Sequence, residues 1–109
     1  MTVQRRAFVV DVVPDRRAEY LRLHAAVWPE VLAMITACNM RNYSIYYKDG
    51  FLFSYFEYVG QDYAADMAKL AADPVTQQWW EECNPCQEPL PTRAEGEWWA
   101  AMEEVFHCD

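Results

Sequence analysis

The chain has 109 residues, of which 53% are hydrophobic and 16% aromatic, so it is long enough for one domain with an apolar core. Nine basic and 17 acidic side chains give a formal net charge of −8, which disfavours binding to nucleic acid or to an anionic membrane surface. No segment has the apolar run of a signal peptide or of a membrane-spanning helix. With four cysteines, we expect one cytoplasmic domain over residues 1–109 with free thiols.

The first predicted elements are a strand and a long helix. Ala7 to Val13 are almost all apolar and β-branched, which predicts a strand that Pro14 ends. The carboxylate of Asp15 is expected to cap the helix that follows, because it can accept hydrogen bonds from the free N–H groups of the first turn. This helix is predicted from about Arg16 to Ala37. Pro29 lies inside it and lacks a backbone N–H, so we expect a kink or a split there.

A β-hairpin is predicted next. Asp49-Gly50 separates two aromatic-rich runs, Asn42 to Lys48 and Phe51 to Tyr58, and this dipeptide is typical of a two-residue hairpin turn. Aromatic side chains fall on both faces of the hairpin, whereas a sheet that is covered on one side only is polar on the other. We therefore expect the second face to meet a partner subunit or a ligand pocket.

Two further helices and a closing strand complete the predicted fold. Asp62 to about Ala71 forms one helix, and Asp73-Pro74 starts another that reaches about Glu82. Three prolines and a glycine predict a loop from Asn84 to Gly96, before a short strand near Val105 to His107. The order β-α-β-β-α-β predicts an α+β fold of the ferredoxin-like type, in which helices cover one face of an antiparallel sheet.

The long helix carries the first candidate site. Tyr20, His24 and Trp28 are spaced i, i+4 and i+8, so we expect them on one side of the helix. Two interpretations are open: an apolar stripe with a buried, hydrogen-bonded histidine, or a histidine poised for proton transfer near neutral pH. Of the two histidines in the chain, His24 is the better catalytic candidate, because His107 lies near the C-terminus.

Aromatic side chains supply the candidate binding residues. Trp79-Trp80 lie on the last predicted helix and Trp98-Trp99 near the C-terminus, and adjacent helical residues point about 100° apart, so both members of a pair cannot bury in one core face. An exposed indole suits the C–H face of a pyranose ring and can donate its N–H to a hydroxyl. Core packing or a dimer contact is the alternative. Tyr43 is either a core residue or a phenol that binds a sugar hydroxyl.

Cys83 and Cys86 form a C-x-x-C pair. Together with His107 and Cys108 they could be drawn as four zinc ligands, but no second C-x-x-C exists, and adjacent side chains on a strand diverge. The pair follows a helix and runs into prolines, unlike a thioredoxin-type pair, which opens a helix. We interpret these residues as free thiols and expect no metal. With no Gly-rich phosphate loop, no nucleotide cofactor is expected either.

Taken together, these segments resemble the L-rhamnose mutarotase family over nearly the whole chain. The combination of a helical Tyr-x-x-x-His, a Trp-Pro-Glu and a late Trp-Trp is specific, whereas each motif alone is weak. The stretch after the tryptophan pair is closer to a related branch assigned to L-fucose. The matching segments are Arg6-Ala7-Phe8, Glu19-Tyr20 with His24, Val27-Trp28-Pro29-Glu30-Val31, Asn42-Tyr43-Ser44-Ile45-Tyr46, Gln78-Trp79-Trp80 and Glu104-Val105-Phe106-His107.

The resemblance implies a subunit of the dimeric α+β barrel type, a homodimer and no cofactor. It implies that the protein interconverts the α and β anomers of L-rhamnose, with His24 as the proton donor and with Tyr20, Tyr43, Trp79 and Trp80 contacting the sugar. Mutarotation needs only proton movement, which general acid–base catalysis supplies. The alternatives are an L-fucose mutarotase, a cofactor-independent monooxygenase or haem-handling protein of the same topology, and a non-catalytic binding module.

Overall fold

The computed structural model describes residues 2–109. Its strands are β1 (Gln4–Val12), β2 (Met40–Lys48), β3 (Phe51–Tyr58), β4 (Gln87–Glu88) and β5 (Ala100–Met102). Its helices are α1 (Arg17–His24), α2 (Pro29–Ala37), α3 (Tyr63–Ala72) and α4 (Pro74–Cys83). The strands form one antiparallel sheet in the order β2-β3-β1, and both β4 and β5 pair with the other edge of β1. Within residues 2–109, no helix is long and apolar enough to span a membrane.

All four helices contribute to the packing on one face of the sheet, which we call the inner face. The alternation of side chains along the central strands places Val10, Leu52, Phe56 and Tyr58 on this face, where they are almost completely buried. Two apolar clusters result, one with α1, α2 and α4 and one with α3. The predicted α+β, ferredoxin-like arrangement with helices on one face is thereby confirmed.

Among the described residues, no helix lies over the opposite side of the sheet, which we call the outer face. Register places residues from β1, β2, β3 and β5 on this face: Phe53 pairs with Val9 and with Tyr46, and Val9 pairs with Ala100. Tyr46 is 68% exposed, and its aromatic neighbours are only partly covered. The predicted distribution of aromatic side chains over both faces is confirmed. The large outer-face side chains are Val9, Tyr46, Phe51, Phe53, Tyr55 and Met102.

The hairpin has the predicted turn and an additional bulge. Asp49 and Gly50 have φ angles of 53° and 88°, as a two-residue turn of the mirror-image type requires, and the second strand is Phe51–Tyr58 as predicted. The register of β2 shifts between Arg41 and Ser44, where Asn42 has a φ of 52°. A bulge turns a side chain toward the opposite face, and here it directs Tyr43 to the inner face, beside Phe56.

The long predicted helix splits in two, as Pro29 allows. α1 ends at His24 and α2 begins at Pro29, with Trp28 in an extended conformation between them, so Trp28 is not on the stripe of Tyr20 and His24. The cap predicted at Asp15 is wrong. Pro14 starts a 3₁₀ turn, so Asp15 lies inside the first turn. A capping carboxylate must instead lie just before the first turn.

The helices that follow the hairpin begin as predicted. The Asp62 carboxylate accepts from the Ala65 N–H at 3.1 Å, and the Asp73 carboxylate accepts from the Thr76 N–H at 2.9 Å. Pro74 occupies the first position of α4, where its missing N–H costs no hydrogen bond. These caps fix where α4 starts and therefore which face its tryptophans occupy.

The closing strand lies earlier than predicted. The predicted strand at Val105–His107 is wrong, because β5 is at Ala100–Met102 and its register with β1 leaves residue 105 opposite Gln4, where β1 begins. Val105 and Phe106 are 89% and 81% exposed. The predicted loop from Asn84 to Gly96 also contains a 3₁₀ turn and the short strand β4. Together β4 and β5 form an edge strand that residues 89–99 interrupt.

Candidate active site

A cavity of about 310 Å³ lies between the inner face of the sheet and the helices α1, α3 and α4. A recess of about 530 Å³ adjoins it on the α2 side and shares several of its wall residues, including His24 and Tyr43. Few polar groups converge in mostly apolar walls, as is usual in a small-molecule site. All five residues that the sequence singled out line the first cavity: Tyr20, His24, Tyr43, Trp79 and Trp80.

Tyr20 and His24 are stacked along α1, with ring centroids 4.1 Å apart. The His24 Nδ1 atom is 3.0 Å from the main-chain carbonyl oxygen of Tyr20. A carbonyl oxygen can only accept a hydrogen bond, so Nδ1 carries the proton and Nε2 is the unprotonated nitrogen of the neutral ring. The i, i+4 spacing read from the sequence thus produces a histidine with a defined tautomer.

His24 is half-buried, and this burial lowers the pKa of its imidazole below the ordinary value of 6.5, against a smaller opposing effect of the hydrogen bond to Tyr20. The neutral ring is therefore the main form at neutral pH. In that form Nε2 is a base, and after accepting a proton it becomes an acid of moderate strength. The ring is packed and hydrogen-bonded, as the first interpretation of His24 expects, and it also lines the cavity, so its role in proton transfer stays a prediction.

The tryptophans of α4 take different positions, as the 100° between adjacent helical residues requires. Trp79 is buried and contacts His24 and Trp28 edge-on, with ring centroids 5.2 Å apart in both cases. Trp80 is 36% exposed and lines both the cavity and the adjoining recess. Trp28 reaches Trp79 from the linker between α1 and α2, a contact that the predicted kink or split at Pro29 did not specify.

Two phenols face the cavity from opposite walls. Burial raises the pKa of Tyr43 to about 12 and raises that of Tyr20 further. Both hydroxyl groups therefore stay protonated at neutral pH and can donate hydrogen bonds to a ligand. The bulge in β2 places Tyr43 on this wall, and the local sequence does not predict that bulge.

Sequence reasoning missed the polar lining residues Ser54, Asn84 and Gln87, and only partly anticipated Trp98. Gln87 is 7% exposed, and its side-chain Oε1 accepts a hydrogen bond from the Trp98 indole Nε1 at 2.7 Å. Both side chains line the cavity, as does Asn84. The sequence places Gln87 in a proline-rich stretch, and only the pairing of β4 with β1 reveals that it points inward.

The cysteines are free, and three of them are buried: Cys38, Cys83 and Cys86. Burial raises the pKa of the Cys83 thiol to about 12 and also raises that of Cys86, so neither supplies a thiolate at neutral pH. Cys108 is exposed on the C-terminal segment. Among residues 2–109, no group of three or more His, Cys, Asp or Glu side chains is arranged to hold a metal ion.

The architecture belongs to the ferredoxin-like α+β class, as structural similarity confirms. The fold is similar to that of an L-rhamnose mutarotase from Formosa agariphila, with a TM-score of 0.75 at 22% identity, covering 97% of this chain and 99% of that one. It is also similar to tetracenomycin F2 cyclase from Streptomyces glaucescens, with a TM-score of 0.73 at 12% identity over 97% of both chains. At such identities the similarity defines the fold alone.

Sequence similarity defines the family. A family model described as L-rhamnose mutarotase matches residues 5–108. An L-rhamnose mutarotase from Phocaeicola vulgatus is 33% identical over 98% of this chain and all of its own, and one from Klebsiella pneumoniae is 34% identical over 94% of this chain and 96% of its own. The chain therefore belongs to the L-rhamnose mutarotase family, whose members are isomerase-type enzymes that act on sugar anomers.

Proposed function

We propose that this protein interconverts the α and β anomers of L-rhamnose, with His24 as the group that moves the proton. The observation that carries the proposal is the fixed tautomer of His24. Its Nδ1 is 3.0 Å from the Tyr20 carbonyl oxygen and donates to it, so Nε2 is free to react. The Tyr20 and Tyr43 phenols and the Trp80 indole are among the side chains that line the same cavity. Family membership supports the substrate and the reaction.

The proposed reaction needs no group beyond these side chains. Nε2 of neutral His24 removes the proton of the anomeric hydroxyl, the C1–O1 bond becomes a carbonyl, and the bond between C1 and the ring oxygen breaks with its electron pair on that oxygen. The imidazolium then gives the proton to the ring oxygen. Because both oxygens are bonded to C1, one nitrogen can serve both. Rotation about C1–C2 and the reverse steps give the other anomer.

The cavity walls support a 6-deoxy sugar as the ligand. The Tyr20 and Tyr43 hydroxyls can donate to sugar oxygens, and the Trp80 indole, which is partly exposed, offers a flat face for ring C–H groups. The floor is apolar and suits a methyl group where most hexoses have a hydroxyl, because a polar group there would lose its hydrogen bonds. The floor residues are Phe8, Met40, Phe56, Met67 and Leu70.

Saturation transfer between the anomeric NMR signals tests the proposal directly. The protein is added at equilibrium to L-rhamnose, to L-fucose and to D-glucose, and the exchange rate is compared with that in buffer alone. We expect the greatest acceleration for L-rhamnose. Faster exchange with L-fucose would assign the protein to that substrate instead. Exchange no faster than in buffer for all three sugars would refute the proposed function.

We also propose that the protein acts as a homodimer, paired through the outer face. Monomeric proteins rarely leave a contiguous aromatic patch uncovered, and this patch includes Tyr46, which is 68% exposed. A second copy of the chain suits this patch, because a two-fold interface pairs a surface with itself. The outer face carries both a basic side chain, Arg5, and an acidic one, Glu57, as such self-pairing needs.

The three buried free thiols agree with a reducing compartment, so we propose a cytoplasmic location.

A further inference from the structure

The recess on the α2 side of the cavity has room for a ligand group of its own. Its volume is about 530 Å³, against about 310 Å³ for the cavity, and each value falls within the usual range of a small-molecule site, about 300–1,000 Å³. His24, Tyr43 and Trp80 line both spaces, so a ligand can extend from one into the other. Among residues 2–109, Arg41 is the one Lys, Arg, Asp or Glu side chain that lines either space.

Main-chain carbonyl groups hold the Arg41 guanidinium in place. Its Nη1 donates to the carbonyl oxygen of Thr36 at 2.9 Å and to that of Met40 at 3.0 Å. Thr36 is in the last turn of α2, where carbonyl groups lack partners within the helix. A guanidinium Nη1 has two hydrogens, so these two bonds use both of them. Arg41 therefore completes the end of α2 with a single nitrogen.

The other edge of the guanidinium is a fork of two donors. The N–H of Nε and one N–H of Nη2 point the same way and match the two oxygens of a carboxylate, so they can form two hydrogen bonds at once. Across residues 2–109, the ion pairs involve other basic side chains: Arg5, Arg22, Lys48 and His107. Because the formal net charge of −8 repels anions in general, an anionic ligand group needs a local cation such as this one.

We propose that the recess is a subsite for an acidic sugar residue linked to the 6-deoxy sugar, and that Arg41 binds its carboxylate. This inference rests on the proposed function, since it places the reducing end in the cavity beside His24. Mutarotation needs a free anomeric hydroxyl, so the second residue is linked through another oxygen. O2 is on the carbon next to C1, and a group linked there starts beside His24, which lines both spaces. The ligand class is a uronosyl-(1→2)-6-deoxyhexose.

A matched pair of disaccharides tests the proposal. One is α-D-galacturonosyl-(1→2)-L-rhamnose, and the other is its methyl ester, which has nearly the same shape but no charge. Trp80 lines both spaces, so binding is followed by the change in tryptophan fluorescence. We expect the acid to bind about tenfold more tightly than the ester at low ionic strength, and the ratio to shrink as salt screens the charge. An acid that binds no better than the ester would overturn the proposal.

Substitutions at Arg41 assign the preference to this side chain. In Arg41→Gln the acid should lose its advantage over the ester. In Arg41→Lys the advantage should be intermediate, because an ammonium group keeps the charge but cannot form the fork. Each ratio compares two ligands of the same protein, so a partial loss of folded protein cancels. A wild-type ratio in Arg41→Gln would overturn the proposal.

Arg93→Gln is the matched control for the loss of one positive charge. Arg93 also donates its Nη1 to a main-chain carbonyl oxygen, that of Leu90 at 3.0 Å, but it lines neither space. This variant should therefore keep the wild-type ratio. A loss of the preference in Arg93→Gln as large as that in Arg41→Gln would mean that the acid senses only the overall charge, which would also refute the subsite.

Anomer exchange separates this proposal from the proposed function. Saturation transfer is measured on the reducing-end anomeric signals of the acidic disaccharide and on those of L-rhamnose. Acceleration for both supports the subsite. Acceleration for L-rhamnose alone would refute the subsite and leave the proposed function intact. If neither sugar exchanges faster than in buffer, the proposed function fails, and the fluorescence ratio still decides whether Arg41 binds the carboxylate.

Discussion

The two faces of the sheet carry similar aromatic side chains but offer different chemistry. On the inner face, helices enclose Tyr43 and the neighbouring indoles around a cavity that also holds a histidine of fixed tautomer. On the outer face, Tyr46 is largely exposed, and the Tyr55 hydroxyl is already bound to Glu57 at 2.9 Å. Aromatic content alone does not identify a site. What separates the faces is whether polar atoms are held in place and left available to a ligand.

The strongest way to test this comparison is to remove His24, the proposed proton-transfer group of the inner face. His24→Asn should lower the anomer exchange rate by about 10²-fold or more, because a general acid–base group is lost. The Asn amide can still donate to the Tyr20 carbonyl, so the thermal midpoint should stay near that of wild type. Saturation-transfer NMR and a melting curve measure the two effects.

The exposed histidine near the C-terminus provides the control. His107→Asn should keep the wild-type rate, since His107 is hydrogen-bonded to Asp109 at 2.6 Å and does not line the cavity. A His24→Asn protein that melts early but exchanges anomers at the normal rate would mean that His24 serves only the core.

A charge introduced on the outer face should weaken the dimer and leave the exchange rate per subunit unchanged. Phe53→Lys is expected to raise the dimer dissociation constant by about 10²-fold or more, since each of the two subunits loses roughly 1.5–3 kcal/mol of apolar burial. The residue lies on the face opposite the cavity, so the exchange rate per subunit should be kept. Sedimentation at micromolar concentration should change from twice 12.8 kDa toward 12.8 kDa. A wild-type protein that is already monomeric would contradict the proposed dimer.

On the inner face, substitution of the two tryptophans of α4 should affect different properties: sugar binding for Trp80 and protein stability for Trp79. Trp80→Ala is expected to raise KM by about fivefold with little change in the melting midpoint, because a stacking partner contributes about 1 kcal/mol and Trp80 is partly exposed. Trp79→Ala removes a buried indole and should cost about 3–5 kcal/mol of stability. Equal thermal losses for both variants would show that neither is specialised for the sugar.

The smallest expected effect is on the pH dependence. Burial lowers the pKa of His24 below its ordinary value of 6.5, and the neutral ring is the form that begins the proposed reaction. The rate should therefore be constant above neutrality, remain above half of its plateau at pH 6.5, and fall as the pH drops through the lowered pKa. Exchange rates corrected for buffer catalysis give this profile. A midpoint above 6.5 would argue against a neutral His24 as the starting base.

Local patterns predicted the parts of the molecule whose contacts are local. The strand Phe51–Tyr58 and its Asp-Gly turn follow from alternation and from the two positive φ angles that this dipeptide accepts. The pair Tyr20 and His24 follows from helical spacing. The starts of the two helices after the hairpin follow as well, because Asp62 and Asp73 accept hydrogen bonds from N–H groups only three positions away.

The errors have a common physical cause, which is pairing between residues distant in sequence. β4 and β5 are too short to be recognised from composition and exist because β1 offers them an edge. Val105 and Phe106 have the composition of a strand but lie where that edge ends. Gln87 was missed for the same reason, since both its inward direction and its partner Trp98 depend on the register of β4.

The interrupted edge strand gives this fold a position where its length can change at little cost. β4 is anchored to Asp11 and Val12, and β5 separately to residues 7–9 of β1, so each end of the segment 89–99 is held without the other. Doubling the length of such a closed loop costs only about 0.6 kcal/mol of chain entropy. The segment can therefore be lengthened, shortened or exchanged while α1 and the central strands stay unchanged. Because Trp98 and Trp99 of this segment line the cavity, such an exchange would alter the cavity wall and leave the rest of the scaffold in place.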